Sequence, residues 1–301
     1  MRHGKYPFII GFLAAPVIVY VVFVVSPYVQ AFYIALTNWK GISANPQYIG
    51  LENFTRLVRD DVFWDAVRHH LVLLLAMPLI TIGIALFFSF LLNLGGSGGR
   101  MKGVAGSGFY RVVYFFPQVL AVAIVGVLFQ AIYRPDETGV INGLLGKVGI
   151  PAVGWLTEPS LALWSIIGVM VWQAVGFYVV LFSAGMSAIP HDVFEAAALD
   201  GAGRLRLFFS ITLPLLWDTL QVGWVYLGIT AFDGFALVQV LSVNLGGPDN
   251  STTVLPLEIW RNAFAFSKFG YASAMGVALF FMTITFAALT LRVTRRERIE
   301  F

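Results

Sequence analysis

The stretch HDVFEAAALDGAGRLRLFFSITLPLL, from His191 to Leu216, is a polar interruption between two long apolar segments of the chain. Its first half predicts a short helix. Pro190 stops the preceding segment, Asp192 is a typical N-cap residue, and Glu195 completes a D-x-x-E capping box. Gly201 suits the left-handed position that follows a helix. We therefore expect a helix that ends just before Gly201, and then a second helical stretch, RLRLFFSITL, that leads into the next apolar segment.

One narrow face of this short helix is apolar at helical spacing, and it is formed by Val193, Phe194, Ala197 and Ala198. A helix of this length is unstable alone in water. An exposed apolar patch marks a binding surface. Because a surplus of Lys and Arg places this stretch on the cytoplasmic side of a membrane, we interpret the face as the contact surface for a cytosolic partner. The alternative is a plain turn at the membrane surface, in which Glu195 serves only as a cap.

The rest of the chain has the composition of a membrane protein. Its 301 residues are 58% hydrophobic and 12% charged, whereas soluble proteins carry about 25% charged residues. Six segments come near the ~20 apolar residues that cross a bilayer: 7–27, 70–93, 111–133, 161–186, 216–243 and 271–291. The first also resembles a signal peptide, but its apolar run is long and no A-x-A site follows it. We predict an all-α polytopic membrane protein with six transmembrane helices.

The distribution of charge predicts the orientation of these helices. Six spans place both termini on one side, and that side carries eleven of the 19 Lys and Arg residues but five of the 16 acidic ones. A surplus of Lys and Arg marks the cytoplasmic side. We therefore predict cytoplasmic termini, a cytoplasmic connector at 94–110 and a cytoplasmic loop at 187–215. The segment 38–69 would lie outside, in short interfacial helices with aromatic anchors.

The sequence contains no pattern typical of catalysis. It has no cysteine, which excludes disulfides and Cys-based metal sites. The stretch GLLGKVG around Lys147 lacks the first Gly and the hydroxyl residue of a phosphate-binding loop. His69 and His70 are adjacent, and adjacent helical positions do not face each other, so we expect no metal site. We predict that the chain is not an enzyme and that energy for its work comes from another subunit.

The stretch EAAALDGAG, followed by ITLP, resembles the EAA signature of membrane subunits in binding-protein-dependent ABC importers. The matching residues are Glu195, Ala196, Ala197, Asp200, Gly201, Ala202, Ile211, Leu213 and Pro214. Three further blocks, in the same order along the chain, are similar to carbohydrate permeases of the maltose and glycerol-phosphate type: 48–70, 246–264 and 269–280. The resemblance covers almost the whole chain. It implies the type I ABC importer permease fold, as a single transmembrane domain over 1–301.

In this family the EAA loop is the coupling helix, which docks in a groove of the ATP-binding subunit. The resemblance implies that Glu195 reaches a basic residue of that subunit, that Ala196 and Ala197 allow close approach, and that Asp200 and Gly201 form the turn. It also implies the partners: a second homologous six-helix permease subunit, two cytoplasmic ATP-binding subunits, an extracytoplasmic solute-binding protein, membrane lipid and a carbohydrate. No nucleic acid is expected. ATP and Mg would be bound by the ATPase, so this chain needs no cofactor, and it would lie in the bacterial cytoplasmic membrane.

The fifth span has the densest set of polar residues. Ionisable groups at the centre of a span cost about 2.5–3.5 kcal/mol on insertion scales, so they usually face a cavity or a partner. We therefore predict a substrate path along this span, with Asp233 as the leading candidate, formed by Asp218, Gln221, Trp224, Tyr226, Thr230 and Asp233. The fourth span would add Trp172, Gln173 and Tyr178. The alternative is that these polar groups only form hydrogen bonds between helices.

The resemblance favours an importer of a mono- or oligosaccharide, nearest in type to permeases for amino sugars such as N-acetylglucosamine or its disaccharide, chitobiose. Two alternatives stay open. One is an ABC permease for another solute such as glycerol-3-phosphate. The other is a self-sufficient secondary transporter, which would have no use for a cytoplasmic EAA loop.

Overall fold

The computed structural model describes residues 5–42, 45–94, 104 and 106–293. Within these ranges the chain forms helices and loops but no strand, and Thr37 and Tyr48 form one isolated β-bridge. The helices are α1 (Lys5–Tyr20), α2 (Ser26–Ala35), α3 (Glu52–Val58), α4 (Asp61–Leu94), α5 (Ser107–Val119), α6 (Val122–Ile132), α7 (Val140–Lys147), α8 (Pro159–Ala188), α9 (His191–Leu199), α10 (Arg204–Leu207), α11 (Leu213–Leu215), α12 (Trp217–Phe232), α13 (Phe235–Leu241), α14 (Leu255–Trp260) and α15 (Phe269–Val293). Short π-helical segments connect α1 to α2 and α10 to α11, and another follows α14.

The six predicted spans correspond to four continuous apolar segments and two bent helix pairs. The continuous ones are Ile9–Ala35, Asp61–Asn93, Pro159–Ala188 and Phe269–Arg292. The third predicted span is α5 and α6, bent by 96°, and the fifth is α12 and α13, bent by 51°. The predicted all-α fold with six apolar crossings is therefore confirmed when each bent pair counts as one span. The expectation of continuous helices over 111–133 and 216–243 is wrong.

The predicted orientation rests largely on residues that the structure does not describe. Most of the connector 94–110 lies outside the described residues. So do six of the basic residues assigned to the cytoplasmic side: Arg2, Arg100, Lys102, Arg295, Arg296 and Arg298. The cytoplasmic location of both termini stays a prediction.

One compact unit comprises residues 1–64 and 258–282. Its small core joins Ala35, Ala274 and Val277, with Phe32 and Phe54 packed against them. The first span, in contrast, buries none of its most apolar window. The short helix α3 lies within the segment for which interfacial helices were predicted.

A buried amide ties α3 to the end of the first span in this unit. The side-chain nitrogen of Asn53 donates hydrogen bonds to the carbonyl oxygens of Ala35 and Thr37, both at 2.8 Å. Because a helix end leaves its last carbonyl groups without helical partners, Asn53 stabilises the point where the chain leaves the span.

The second compact unit comprises residues 65–257 and 283–301, and α8 is its most buried span. The backbone of α8 comes very close to α5 at Gly176, where a Cβ atom would overlap the carbonyl oxygen of Tyr114. Membrane helices approach this closely through small residues. The contact fixes α5 against α8 just before α5 ends.

The third span breaks at Leu120 and Ala121, which have extended backbones with ψ of 135° and 138°. Pro117 lies in the last turn of α5, and proline weakens a helix because it lacks an N–H group. The side-chain nitrogen of Gln173 donates to the carbonyl oxygen of Leu120 at 3.2 Å. Backbone that leaves a helix inside a membrane needs such partners, so α8 stabilises this break.

The fifth span breaks at Asp233 and Gly234 in a tighter turn. The Gly234 N–H donates to the carbonyl of Ala231 at 3.3 Å, and the Phe235 N–H donates to that of Asp233 at 2.6 Å. This break therefore closes with hydrogen bonds from its own residues.

The two half-helices beyond the breaks, α6 and α13, pack on each other. A Cβ atom at Gly126 would overlap the side chain of Val240, and the side-chain nitrogen of Gln130 donates to the Val240 carbonyl at 2.6 Å. The packing of α6 on α13 therefore connects the break in the third span to the break in the fifth span.

Candidate functional site

Both helix breaks border the same cavity, which has a volume of about 400 Å³. Residues of α4, α5, α6, α8, α12 and α13 line the cavity, together with the break residues Leu120, Ala121, Asp233 and Gly234. Irregular backbone at membrane depth is tolerated where it lines a cavity, and discontinuous helices place binding sites at such points. The breaks therefore mark a candidate binding site.

The cavity wall combines polar groups with aromatic rings. The polar side chains are Gln118, Gln173, Tyr178, Tyr226, Thr230 and Asp233. The rings of Phe177 and Tyr226 lie with their centroids 6.1 Å apart, and Tyr226 is 56% exposed. A few polar groups on a largely apolar wall are typical of small-molecule sites.

The structure brings together half of the predicted path residues of the fifth span. Asp233, Tyr226 and Thr230 line the cavity. The described lining residues do not include the other three, Gln221, Trp224 and Asp218. Gln221 and Trp224 are half-buried elsewhere on α12, and Asp218 is exposed in the first turn of that helix. The Thr230 hydroxyl donates to the carbonyl of Tyr226 at 2.9 Å. Its oxygen lone pairs stay available to a ligand.

The fourth span contributes Gln173 and Tyr178 to this cavity, as expected, but Trp172 lies elsewhere. Trp172 lines a separate apolar groove, and its ring packs against Phe129 at 5.1 Å. Consecutive residues of an α-helix are rotated by about 100° around its axis, so Trp172 and Gln173 face different neighbours.

Gln118 and Phe177 line the cavity but were not predicted. A signal for Gln118 was present, because it is an amide directly after Pro117 within an apolar segment. Phe177 carried no signal, since phenylalanine occurs throughout the spans of this chain.

The adjacent pair His69 and His70 contacts different parts of the second unit. The Nδ1 atom of His69 lies 3.0 Å from the carbonyl oxygen of Thr253. The His70 ring is fully buried and packs against Phe232 with ring centroids 4.9 Å apart.

The helix predicted in the opening stretch is α9, and its C-terminus has the expected turn. Gly201 is left-handed with φ of +75°. Its N–H donates to the carbonyl of Ala198 at 3.1 Å, and the Ala202 N–H donates to that of Ala197 at 3.0 Å. These two bonds form a Schellman motif. The prediction of a left-handed glycine at this position is confirmed.

The predicted capping box at the start of α9 is wrong. The helix begins at His191 after Pro190, no side chain caps it, and Asp192 lies within its first turn. Glu195 instead lies one turn after His191, with 3.7 Å between its Oε1 and the histidine Nδ1, and both side chains are exposed. Proline takes the cap position because it ends α8 and fixes where the new helix begins.

Two of the four residues of the predicted apolar face of α9 are buried in the chain's own core, whereas Ala198 is exposed, which corrects the expectation that a partner covers the whole face. Phe194 and Ala197 are buried, 9% and 6% exposed. They pack in a cluster with Met186, Leu207 and Phe208. Ala197 therefore attaches α9 to the neighbouring helices.

The outward side of α9 and its turn carries a different set of residues. Glu195, Ala196, Ala198 and Asp200 are exposed there. Leu199 is 89% exposed, and Leu205 in the next helix is 65% exposed. Exposed leucines beside a carboxylate are typical of an interaction surface with a polar rim.

Comparison with known proteins identifies the family. Residues 71–299 match the family described as binding-protein-dependent transport system inner membrane component. The diacetylchitobiose uptake system permease protein NgcF of Streptomyces coelicolor is 41% identical over 299 residues, 98% of this chain and 84% of that protein. The multiple sugar-binding transport system permease protein MsmF of Streptococcus mutans is 31% identical over 95% of this chain and 94% of that protein.

Solved structures share the fold. A chain of the bacterial ABC transporter involved in the import of the acidic polysaccharide alginate aligns with a TM-score of 0.84 at 22% identity. The alignment covers 98% of this chain and 97% of that one. The predicted ABC importer permease fold is thereby confirmed.

The relatives are transport permeases, a non-enzymatic family, which confirms that this chain is not an enzyme. Its apolar crossings agree with the membrane location of that family. The chain therefore belongs to the family of inner membrane components of binding-protein-dependent transport systems, as a multi-pass permease subunit of an ABC importer.

Proposed function

We propose that this chain forms half of the translocation path of an ATP-driven carbohydrate importer and couples to a separate ATPase through α9. The observation that carries the proposal is the cavity at the two helix breaks. A second, homologous six-helix permease subunit supplies the other half of the path. An extracytoplasmic solute-binding protein delivers the sugar.

The cavity wall supports a carbohydrate as the substrate. Gln118, Thr230 and Asp233 offer donors and acceptors that match sugar hydroxyls, and Phe177 and Tyr226 offer ring faces for stacking. The volume of about 400 Å³ lies within the usual range for small-molecule sites. The 41% identity to a permease named for diacetylchitobiose uptake favours an N-acetylated amino-sugar disaccharide.

Glycerol-3-phosphate is the alternative substrate, and the charge of the cavity disfavours it. Phosphate sites normally use Arg or Lys. No Arg, Lys or His is among the described residues that line the cavity, whereas Asp233 adds a negative charge.

The ATPase contacts α9 through its exposed side. Glu195 meets a basic residue of the ATPase, Ala196 permits close approach, and Leu199 enters the groove. Ala197 acts differently from the other EAA residues, because it transmits movement of α9 to the buried cluster around Phe208. ATP and Mg are bound by the ATPase.

Transport by the purified complex tests the proposed substrate. The tagged chain is isolated from its native cells with the subunits that co-elute, and it is reconstituted in liposomes with its solute-binding protein. We expect ATP-dependent uptake of labelled N,N′-diacetylchitobiose and no uptake of glycerol-3-phosphate. Uptake of glycerol-3-phosphate without uptake of any sugar would contradict the proposal.

One substitution in α9 and one in the turn after it test the coupling. Gly201→Pro removes an N–H donor at a left-handed position, and Glu195→Ala removes the exposed carboxylate. Both variants should insert into the membrane but lose most ATP-linked uptake and capture of the ATPase. Gly203→Ala is the control, because Gly203 is exposed with φ of −69° and a Cβ atom there meets nothing within 4 Å. Normal uptake by both test variants would refute the coupling role.

A further inference from the structure

The cavity at the two helix breaks has one carboxylate and no described cationic side chain on its wall. Asp233 is exposed, and no ion pair joins it to any Lys, Arg or His among the described residues. Its negative charge is therefore not compensated within the part of the chain that the structure describes. An uncompensated charge on a cavity wall attracts a ligand of opposite charge and repels one of like charge.

The helix ends at the cavity do not change the sign of this charge. The C-terminal ends of α5 and α12 meet the cavity, each equivalent to about half a negative charge. The N-terminal ends of α6 and α13 begin there as well, each with about half a positive charge. These contributions largely cancel, so the carboxylate of Asp233 decides the sign of the charge on this chain's part of the cavity wall.

We propose that Asp233 makes this cavity a charge filter, which admits neutral and cationic sugars and rejects acidic sugars and sugar phosphates. This inference rests on the proposed function, because it assigns a substrate class to the same cavity. Asp233 is then a specificity-determining residue. Its hydrogen-bonding capacity holds sugar hydroxyls, while its charge excludes uronates and phosphates.

The absence of cysteine from the sequence permits a direct measurement of the potential. Ala236 is exposed and lines the cavity shortly after Asp233 in the chain, so Ala236→Cys places a single thiol there. The purified variant is treated with a cationic and an anionic methanethiosulfonate, the trimethylammonium-ethyl and the sulfonato-ethyl reagent. The ratio of the two labelling rates reports the local potential, because ionisation of the thiol affects both rates equally.

Addition of Asp233→Asn to the Ala236→Cys variant should lower the ratio of cationic to anionic labelling by about tenfold. This is the change for unit charges about 6 Å apart that are screened by water, because the two reagents respond to the carboxylate with opposite sign. Asp218→Asn in the same variant is the matched control, since Asp218 lies on the same span but is not among the lining residues that the structure describes. It should leave the ratio unchanged. An equal ratio with and without the Asp233 carboxylate would overturn the proposal.

A transport measurement separates this inference from the proposed function. In the reconstituted importer, Asp233→Asn should make uptake of the neutral disaccharide at least several-fold more sensitive to inhibition by digalacturonate. Unchanged sensitivity would overturn the charge filter. Full uptake after complete labelling of the Ala236→Cys variant would instead show that the sugar does not pass through this cavity. The proposed function would then be refuted, whereas the effect of Asp233 on the labelling ratio would remain valid.

Discussion

The two broken spans satisfy the backbone hydrogen bonds at their breaks in different ways. The break between α5 and α6 bends the third span by 96° and leaves two residues extended, Leu120 and Ala121. Gln173 of the neighbouring α8 donates to the freed Leu120 carbonyl. The break between α12 and α13 bends the fifth span by 51° and closes its own hydrogen bonds around Asp233 and Gly234.

The difference shows which parts of the molecule each break depends on. The first break relies on α8, both for the Gln173 donor and for the close backbone contact at Gly176. The second break is local, and its span packs on the neighbouring helix through a side chain, because a Cβ atom at Gly228 would meet the ring of Phe286. Substitutions in α8 should therefore disturb the first break, whereas the second should tolerate changes nearby.

Gly176→Ala should have the largest effect on stability. The added methyl group overlaps the backbone carbonyl of Tyr114, and backbone cannot move aside without displacing α5. We expect a loss of about 3 kcal/mol, at the upper end for overpacking, measured by thermal unfolding of the detergent-solubilised protein. Gly168→Ala on the same helix is the control, because its Cβ would lie 3.7 Å from the nearest atom, the Tyr133 hydroxyl. Equal melting temperatures for the two variants would refute the close contact.

Gln173→Leu should have the next largest effect. It removes the donor to the Leu120 carbonyl and leaves that group without its partner, which costs about 2 kcal/mol. Gln118→Leu is the control, since Gln118 lines the same cavity but is exposed. If Gln118→Leu lowered the melting temperature as much as Gln173→Leu, the dependence of the first break on α8 would be disproved.

Gly228→Ala should be milder, although its Cβ atom also overlaps a neighbour. The neighbour is the ring of Phe286, and a side chain can shift where backbone cannot. We expect a loss of about 1 kcal/mol, at the low end for overpacking, in the same thermal assay. A loss as large as that of Gly176→Ala would contradict the contrast between backbone and side-chain packing.

Asp233→Asn should have the smallest effect on stability. The turn at the second break is closed by backbone hydrogen bonds, and the carboxylate is exposed. We expect a change within about 0.5 kcal/mol, as for surface substitutions. A melting temperature near that of the unmodified protein, together with altered transport, would separate the structural role of this residue from its role in the cavity. A large loss of stability would show that the carboxylate itself holds the break.

Sequence reasoning recovered the features that depend on short stretches of chain. The left-handed turn at Gly201 and the apolar segments agree with the structure. It placed Asp233, Tyr226 and Thr230 on the correct span for the cavity but included Gln221, Trp224 and Asp218 as well. Hydropathy averages over about 19 residues, so it cannot resolve which residues of one helix face the same neighbour.

The membrane class, the six apolar segments and the turn after α9 followed from the amino-acid sequence without further information, because composition, segment length and the conformational preference of glycine are local properties. Three other features required the folded chain: the break at Leu120, the cavity between the two breaks and the burial of Phe194 and Ala197. Each of these depends on a neighbour outside its own segment. The break at Leu120 depends on the hydrogen bond from Gln173, and the buried face of α9 depends on packing against Leu207 and Phe208. The sequence of one segment alone therefore does not predict these features.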